Sequence, residues 1–310
     1  MSGRARDIAF HYDVSNDFYA LFLDRRMVYT CAYYRDPAGD LETAQADKLD
    51  LVCRKLRLAP DERFLDLGCG WGALVQWAAQ HWNVAAEGVT LSRAQATWGN
   101  DAIRRAGLAS RARIVRADWR AVAPERPYDK IAAVGLIEHV GVAHYRDYFA
   151  LAHRVLAPGG LFLNHGITHR AGTRRSSEME FLSRHVFPGG ELCDLGTIVA
   201  GIDRAGFEVV DVEDLGPHYA RTTRQWVERL QQHEARARAL VSERTYRTFL
   251  VYLAAASVAF EEGALALHQV VGARRGRART ITTREEVYAS VTSARAAIRE
   301  TPAPRRARVP

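Results

Sequence analysis

From about residue 60 onward the chain alternates between short runs of apolar residues and longer stretches in which apolar residues recur every three or four positions. Short apolar runs fit buried strands and the longer periodicity fits amphipathic helices, and a parallel sheet with crossover helices requires that alternation. The predicted strands are Phe64–Leu67, Val84–Thr90, Ala112–Ala117, Lys130–Val134, Gly160–Asn164 and Glu208–Leu215. Ser92-Arg93-Ala94-Gln95 has capping-box spacing and opens a helix after the second strand. A helix over His144–Leu156 stops at Ala157-Pro158-Gly159-Gly160, where proline and glycine forbid continuation. The expected fold class is α/β, a mostly parallel sheet flanked by helices.

Two stretches, 1–60 and roughly 168–272, lie outside the plain alternation and are rich in aromatics and helical patterns. They are expected to form a helical substrate cover. The predicted organisation is an N-terminal cover segment over 1–60, then a catalytic domain over 61–272 with a helical cap inserted at about 168–206 and 217–265. A basic tail follows over 273–310, with a late helix from Thr283 to Ile298 opened by Thr283-Arg284-Glu285-Glu286. Thr301-Pro302-Ala303-Pro304 breaks structure, and the last ten residues are expected to be disordered.

At 310 residues with 48% hydrophobic content the chain can bury a large core. Formal charge is +7, carried almost wholly by arginine, since Lys48, Lys55 and Lys130 are the only lysines. Part of that charge is concentrated in Arg274-Arg275-Gly276-Arg277-Ala278-Arg279 and Arg305-Arg306-Ala307-Arg308. Such clusters suit either an anionic membrane surface or solvated tail charge; without interleaved aromatics, nucleic acid is not expected. Cys31, Cys53, Cys69 and Cys193 form no C-x-x-C pair and no close His/Cys cluster, so neither a metal nor a disulfide framework is expected. Met1–Ala20 carries no continuous apolar region, and the longest apolar run, Phe249–Phe260, is too short to span a bilayer. The expectation is a cytoplasmic protein, with peripheral contact at the inner membrane surface and a homo-oligomer both left open.

The chemistry starts at Phe64-Leu65-Asp66-Leu67-Gly68-Cys69-Gly70-Trp71-Gly72-Ala73. A buried-strand run passes through three alternating glycines into helix-compatible sequence, which suits a turn where a ligand approaches the backbone closely. The spacing is neither that of a dinucleotide loop nor that of a phosphate loop. It resembles the S-adenosylmethionine loop of class I methyltransferases; the alternative is a glycine-rich turn with no ligand.

Six further blocks resemble the cyclopropane-fatty-acyl-phospholipid synthase and mycolic acid cyclopropane synthase family, over about residues 8–272. They are His11-Tyr12-Asp13-Val14-Ser15-Asn16-Asp17-Phe18-Tyr19, Met27-Val28-Tyr29-Thr30-Cys31-Ala32-Tyr33, Gly88-Val89-Thr90-Leu91-Ser92, Glu138-His139-Val140-Gly141, Phe187-Pro188-Gly189-Gly190 and Phe249-Leu250-Val251-Tyr252-Leu253. The resemblance implies the class I methyltransferase fold, which is Rossmann-like, and S-adenosyl-L-methionine as methyl donor. The implied donor contacts are Tyr29, Thr30, Asp66, Gly68, Gly70, Gly72, Thr90, Leu91, Ser92, Gln95, Asp118 and Trp119. Thr90 stands where many class I enzymes carry a ribose-binding carboxylate, so Gln95 becomes the ribose partner while also capping its helix. Asp118 beside Trp119 fits an adenine amino group against a flat wall, although Trp119 alone reads as core packing.

The implied reaction is alkylation of a carbon–carbon double bond, which demands close placement of a weak nucleophile and exclusion of water. Family members use a bound bicarbonate ion as base, and the matching positions are Cys31, Glu138, His165, Ile167 and Tyr252, with Tyr12 offering an aromatic face near the sulfonium. Cys31 and Ile167 can act through backbone atoms. Taken singly, His165 can satisfy a carbonyl and Tyr252 can be core, whereas a carboxylate at Glu138, directly after the apolar 132–137 run, needs a partner. Tyr33 and Tyr34 stay unassigned. Some mycolate-type members carry a cysteine where this chain has Gly272, so no thiol role is expected there.

Three readings compete: a cyclopropane synthase acting on an unsaturated acyl lipid or acyl-carrier substrate, a related methyltransferase giving a methyl branch or a methylated metabolite, and a non-enzymatic lipid- or nucleic-acid-binding protein, which the glycine loop together with Glu138, His165 and Tyr252 argues against. The first two share a donor and differ in the fate of one cation.

Overall fold

The computed structural model describes residues 15–170, 190–276 and 284–288. An eight-stranded sheet organises them. Its strands are β1 (Arg63–Leu67), β2 (Ala85–Thr90), β3 (Ala112–Arg116), β4 (Tyr128–Val134), β5 (Leu156–His169), β6 (Cys193–Asp194), β7 (Phe207–Asp214) and β8 (Leu265–Arg274). The order is β3-β2-β1-β4-β5-β8-β7, with β6 beside β5. β1 to β6 pair in parallel, and β8 runs antiparallel to both β5 and β7. The chain winds outward from β1 in one direction and from β4 in the other, so their carboxyl ends form the switch point at which open α/β sheets bind ligands.

Helices cover both faces, which is why β1 is apolar on both sides: Phe64, Leu65 and Leu67 are fully buried. On one face, helices Leu41–Lys55, Ala73–Trp82 and Arg93–Arg105 supply Leu49, Val52, Val75, Ala78 and Ile103 against Phe64, Ile114 and Leu163. On the other, helices Tyr145–Val155 and Leu195–Arg204 pack Tyr148, Phe149, Ile198 and Ile202 against Leu65, Ile131 and Phe162. A third cluster joins Phe18, Tyr19 and Phe22 to helices Gly216–Gln232 and Glu243–Glu261 around the fully buried Trp226.

The structure departs from the sequence reading in four places. β8 has no counterpart among the predicted strands, because His268 and Gln269 interrupt its apolar run; Gln269 is nevertheless fully buried. β5 begins at Leu156 rather than Gly160: Leu156 pairs with Tyr128 and Leu161 with Lys130, so 157–160 bulge between two ladder positions and accommodate Pro158 and Gly159. The helix Leu195–Arg204 belongs to the layer on the sheet rather than to a cap. Finally, β8 runs past 272 to Arg274, and Glu285–Tyr288 packs on the helix Leu41–Lys55, with Arg284 paired to Asp211 at 3.0 Å. The rest of the predicted late helix, the terminal arginines, Tyr12 and Phe187-Pro188-Gly189 lie outside the described residues.

Candidate functional site

All three loop glycines hold left-handed backbone: φ is 75° at Gly68, 55° at Gly70 and 82° at Gly72. Their side-chain space differs. A Cβ on Gly68 would press on Leu136 and one on Gly72 would overlap Ile114, whereas a Cβ on Gly70 meets nothing within 4 Å. Gly68 and Gly72 are therefore demanded by the protein's own packing, and Gly70 faces open space at the sheet's switch point. Cys69 N–H donates to Val89 O at 2.9 Å and ties the loop to β2, while Gly72 caps the helix Ala73–Trp82.

Asp66 ends the approach to this loop, 3% exposed, and its Oδ1 has no partner among the described residues. Burial pushes its carboxyl up to about 7, against the pull of Lys48. Lys48 is itself buried, which brings its ammonium down to about 8, and its Nζ donates to Thr30 Oγ1 at 2.7 Å. Gln45, one turn earlier on the same helix, donates from Nε2 to the Thr30 carbonyl at 2.8 Å. Thr30 is thus held at both its backbone and its side chain by residues that the sequence reading missed; Gln45 and Lys48 look like a solvent face until the helix is seen to be covered on that side.

At the end of β2, Thr90 Oγ1 donates to Gln95 Oε1 at 2.7 Å, and Gln95 N–H donates to Ser92 Oγ at 3.3 Å. The capping box is one-sided. Ser92 N–H goes to Thr90 Oγ1 at 3.3 Å, so the Gln95 carboxamide is anchored on Thr90 instead of closing back on Ser92. Leu91 is half-buried beside them and its carbonyl accepts from Arg116 Nε at 3.2 Å. Asp118 caps the short turn Trp119–Ala121, and its carboxylate is shared with Arg120 at 2.9 Å. The buried Trp119 meets Tyr148 edge-on at 5.5 Å and lies under the Arg120 guanidinium.

The second group of residues gathers where β4 and β5 end. Glu138 sits on the turn Ile137–Val140 just after β4; its Oε1 accepts from Ile167 N–H at 2.8 Å, and its buried Oε2 meets no partner among the described residues. Burial lifts this carboxyl to about 7. Its carbonyl accepts from Glu191 N–H at 3.0 Å, and the Glu191 carboxylate accepts from Val142 N–H at 3.0 Å, so the turn is clipped from outside. His165, 1% exposed, pairs with Val134 across the ladder; burial holds it neutral, far below the usual histidine range, and its Nε2 has no partner among the described residues.

Tyr252 reaches this region from the helix Glu243–Glu261, with its phenol hydrogen-bonded to Tyr29 and raised by burial and by the Glu138 charge. Tyr29 packs against Tyr19, Phe22 and Trp226, with ring centroids 5.2–6.0 Å apart. Cys31 is fully buried, donates from Sγ to Ala32 O at 3.1 Å, and burial pushes its thiol away from ionising. The Ile167 N–H is committed to Glu138. Tyr33 and Tyr34 face His218, at centroid distances of 4.6 and 6.2 Å, and serve packing. Among the described residues no group of three or more His, Cys, Asp and Glu side chains can hold a metal, and no helix is long and apolar enough to cross a membrane.

This sheet order, with a glycine loop closing its first strand, defines a class I methyltransferase, and the protein is an S-adenosylmethionine-dependent enzyme of that class. The family profile "Mycolic acid cyclopropane synthetase" matches residues 2–270, and the chain belongs to that family. A probable fatty acid methyltransferase of Pseudomonas putida is 42% identical over 290 residues, which span 92% of this chain and 74% of that one. The solved cyclopropane synthase MmaA2 of Mycobacterium tuberculosis superposes with a TM-score of 0.83 at 34% identity, covering 87% of this chain and 98% of that one. The mycolic acid cyclopropane synthase CmaA1, solved with SAH and CTAB, gives a TM-score of 0.84 at 33% identity over 88% of this chain and 99% of its own.

Proposed function

We propose that this enzyme alkylates the double bond of an unsaturated acyl chain, on a phospholipid or a carrier, and closes a cyclopropane ring by removing a proton through a bicarbonate ion. The observation that carries this reading is the pair of buried polar atoms, Glu138 Oε2 and His165 Nε2, that have no partner among the described residues and lie toward the carboxyl ends of adjacent strands. Buried polar atoms left without a hydrogen bond cost about 1–3 kcal/mol each, so their retention argues for a small polar ligand.

Bound S-adenosylmethionine would supply an electrophilic methyl group. Gly68, Gly70 and Gly72 would hold it where Gly70 leaves space, with Asp66 Oδ1 available to its amine, Thr30 fixed by Lys48, and Gln95 anchored on Thr90 for the ribose. Tyr29, Leu91, Ser92, Asp118 and Trp119 complete the proposed contacts. Because Asp118 is engaged by Arg120, adenine recognition there requires the carboxylate to be shared.

The chain's own residues divide the remaining work. The aromatic cluster of Tyr19, Phe22, Tyr29 and Trp226 would exclude water from this side, and the partly buried Tyr29 would offer a π face to developing positive charge. A neutral His165 can donate from Nε2 to an oxyanion, Tyr252 can donate its phenolic proton, and Glu138 Oε2 can accept the proton of the bicarbonate. Ile167 acts through Glu138, since its N–H orients that carboxylate.

A second reading, a methyl-branched product, is favoured by the P. putida relative, whose name is that of a fatty acid methyltransferase and whose identity of 42% exceeds the 34% of MmaA2. Mass spectrometry of products formed from isotopically labelled S-adenosylmethionine and vesicles of unsaturated phospholipid separates the two. A cyclopropane adds one CH2 unit and consumes the double bond, with turnover that slows when dissolved bicarbonate is removed. A methyl-branched or methylene product formed at full rate without bicarbonate would establish the second reading.

A further inference from the structure

Gln269 is a neutral polar side chain with no solvent exposure at all, in the middle of the strand β8 that the sequence does not announce. The antiparallel register places it directly opposite His165 on β5, and its Nε2 lies 3.1 Å from His165 Nδ1. Burying a carboxamide between Val270 and His268 is costly unless its hydrogen bond has a purpose. The imidazole it touches is neutral, so one ring nitrogen carries the proton and the other is a bare acceptor, and the partner of one nitrogen decides the character of the other.

We infer that Gln269 is a positioning residue: by donating its amide N–H to His165 Nδ1 it fixes the imidazole as the tautomer that carries its proton on Nε2. His165 Nε2 then presents a donor, not a lone pair, at the end of the sheet where Glu138 Oε2 presents an acceptor. With the carboxamide reversed, Nδ1 would hold the proton and the buried Nε2 would be a second bare acceptor beside a carboxylate-bearing site, leaving an oxyanion without its imidazole donor. A carboxylate at 269 would favour that reversed state or draw a second proton onto the ring, which gives a physical reason for glutamine and not glutamate at this place. The inference rests on the reading of His165 as an oxyanion donor for its functional meaning, but the tautomer itself is a property of the protein without any ligand.

The test is nitrogen NMR of the full chain with 15N-labelled histidine, the His165 signals being assigned by their loss in His165→Gln. The expected wild-type spectrum shows a protonated Nε2 and an unprotonated Nδ1. In Gln269→Glu the pattern should invert or become doubly protonated, and in Gln269→Leu it should become a mixture. In both variants kcat should fall by roughly a hundredfold, the scale of a lost acid–base contribution, while KM for S-adenosylmethionine stays within about twofold. A wild-type His165 protonated on Nδ1, or a tautomer that neither substitution shifts, would overturn the inference. The wild-type spectrum alone decides the first of these even where a variant fails to fold. Bicarbonate titration separates the two levels: if Gln269 sets the tautomer but bicarbonate leaves the His165 Nε2 signal unmoved, the positioning stands and the bicarbonate reading fails.

Discussion

On the proposed reading, Glu138 and Gly70 are the residues whose substitution separates chemistry from binding. Glu138→Gln keeps the hydrogen bond to Ile167 through its amide oxygen and should leave S-adenosylmethionine affinity near wild type by calorimetry, while ring formation falls about a hundred- to ten-thousand-fold. Burial lifts Glu138 to about 7, so if its carboxylate takes part as proposed, wild-type kcat should decline as pH falls through 7. The stability consequence has the opposite sense. A carboxyl whose folded pKa exceeds its unfolded value of 4.5 binds more protons when folded, so stability drops as pH rises from about 4.5 to 7 and stays low above. Denaturant melts at pH 8 should accordingly find Glu138→Gln as stable as wild type or more so, by on the order of 1 kcal/mol; a large loss would mean the carboxylate is structural. Gly70→Val fills space that is open in the protein, at a φ of 55° that valine resists, and should abolish S-adenosylmethionine binding in calorimetry at a stability cost of about 1–2 kcal/mol.

At the scale of elements, the helix Leu41–Lys55 does two jobs with one buried face. Asp40 caps it through Thr43 N–H at 2.7 Å, its apolar residues pack on the sheet, and Gln45 and Lys48 reach Thr30 from successive turns. Lys48→Met keeps the volume and removes the charge-assisted hydrogen bond. If Thr30 contacts the methyl donor, KM for S-adenosylmethionine should rise about tenfold, equivalent to about 1.4 kcal/mol, with a smaller change in kcat. Lys48 titrates near 8 when folded against 10.5 for the free side chain, so wild-type stability should increase as pH rises across that window, and Lys48→Met should lack the increase. Unchanged KM in this variant would detach the helix from donor binding.

For the whole molecule the open matter is how a basic protein meets a lipid. If the arginine clusters recruit anionic membrane, binding to vesicles rich in anionic lipid should weaken as salt rises, each arginine near the surface contributing about 1 kcal/mol or less. Truncation at 272 cannot test this, because it would cut β8, whose Arg274 guanidinium bonds the Leu156 carbonyl, and remove the docked turn Glu285–Tyr288. Substituting Arg305, Arg306 and Arg308 by glutamine leaves those contacts intact; vesicle binding that neither salt nor these substitutions alter would leave the tail as solvated charge.

Local sequence determined what local physics controls. The glycine loop was legible because only glycine tolerates three left-handed turns in five residues, and the strand-and-helix alternation was legible because each face must be buried at its own period. Glu138 stood out as a carboxylate at the end of an apolar run. Long-range pairing decided the rest. β8 joins the sheet across a hundred residues of sequence separation from β5, and only that register sets Gln269 against His165. Lys48 and Gln45 acquire their roles from a loop fifteen or more residues away in the chain, and Glu191 clips a turn that precedes it by some fifty residues. Polar side chains of this kind carry no periodic signal, because what fixes them is a single buried partner, and the chain's folding alone supplies that partner.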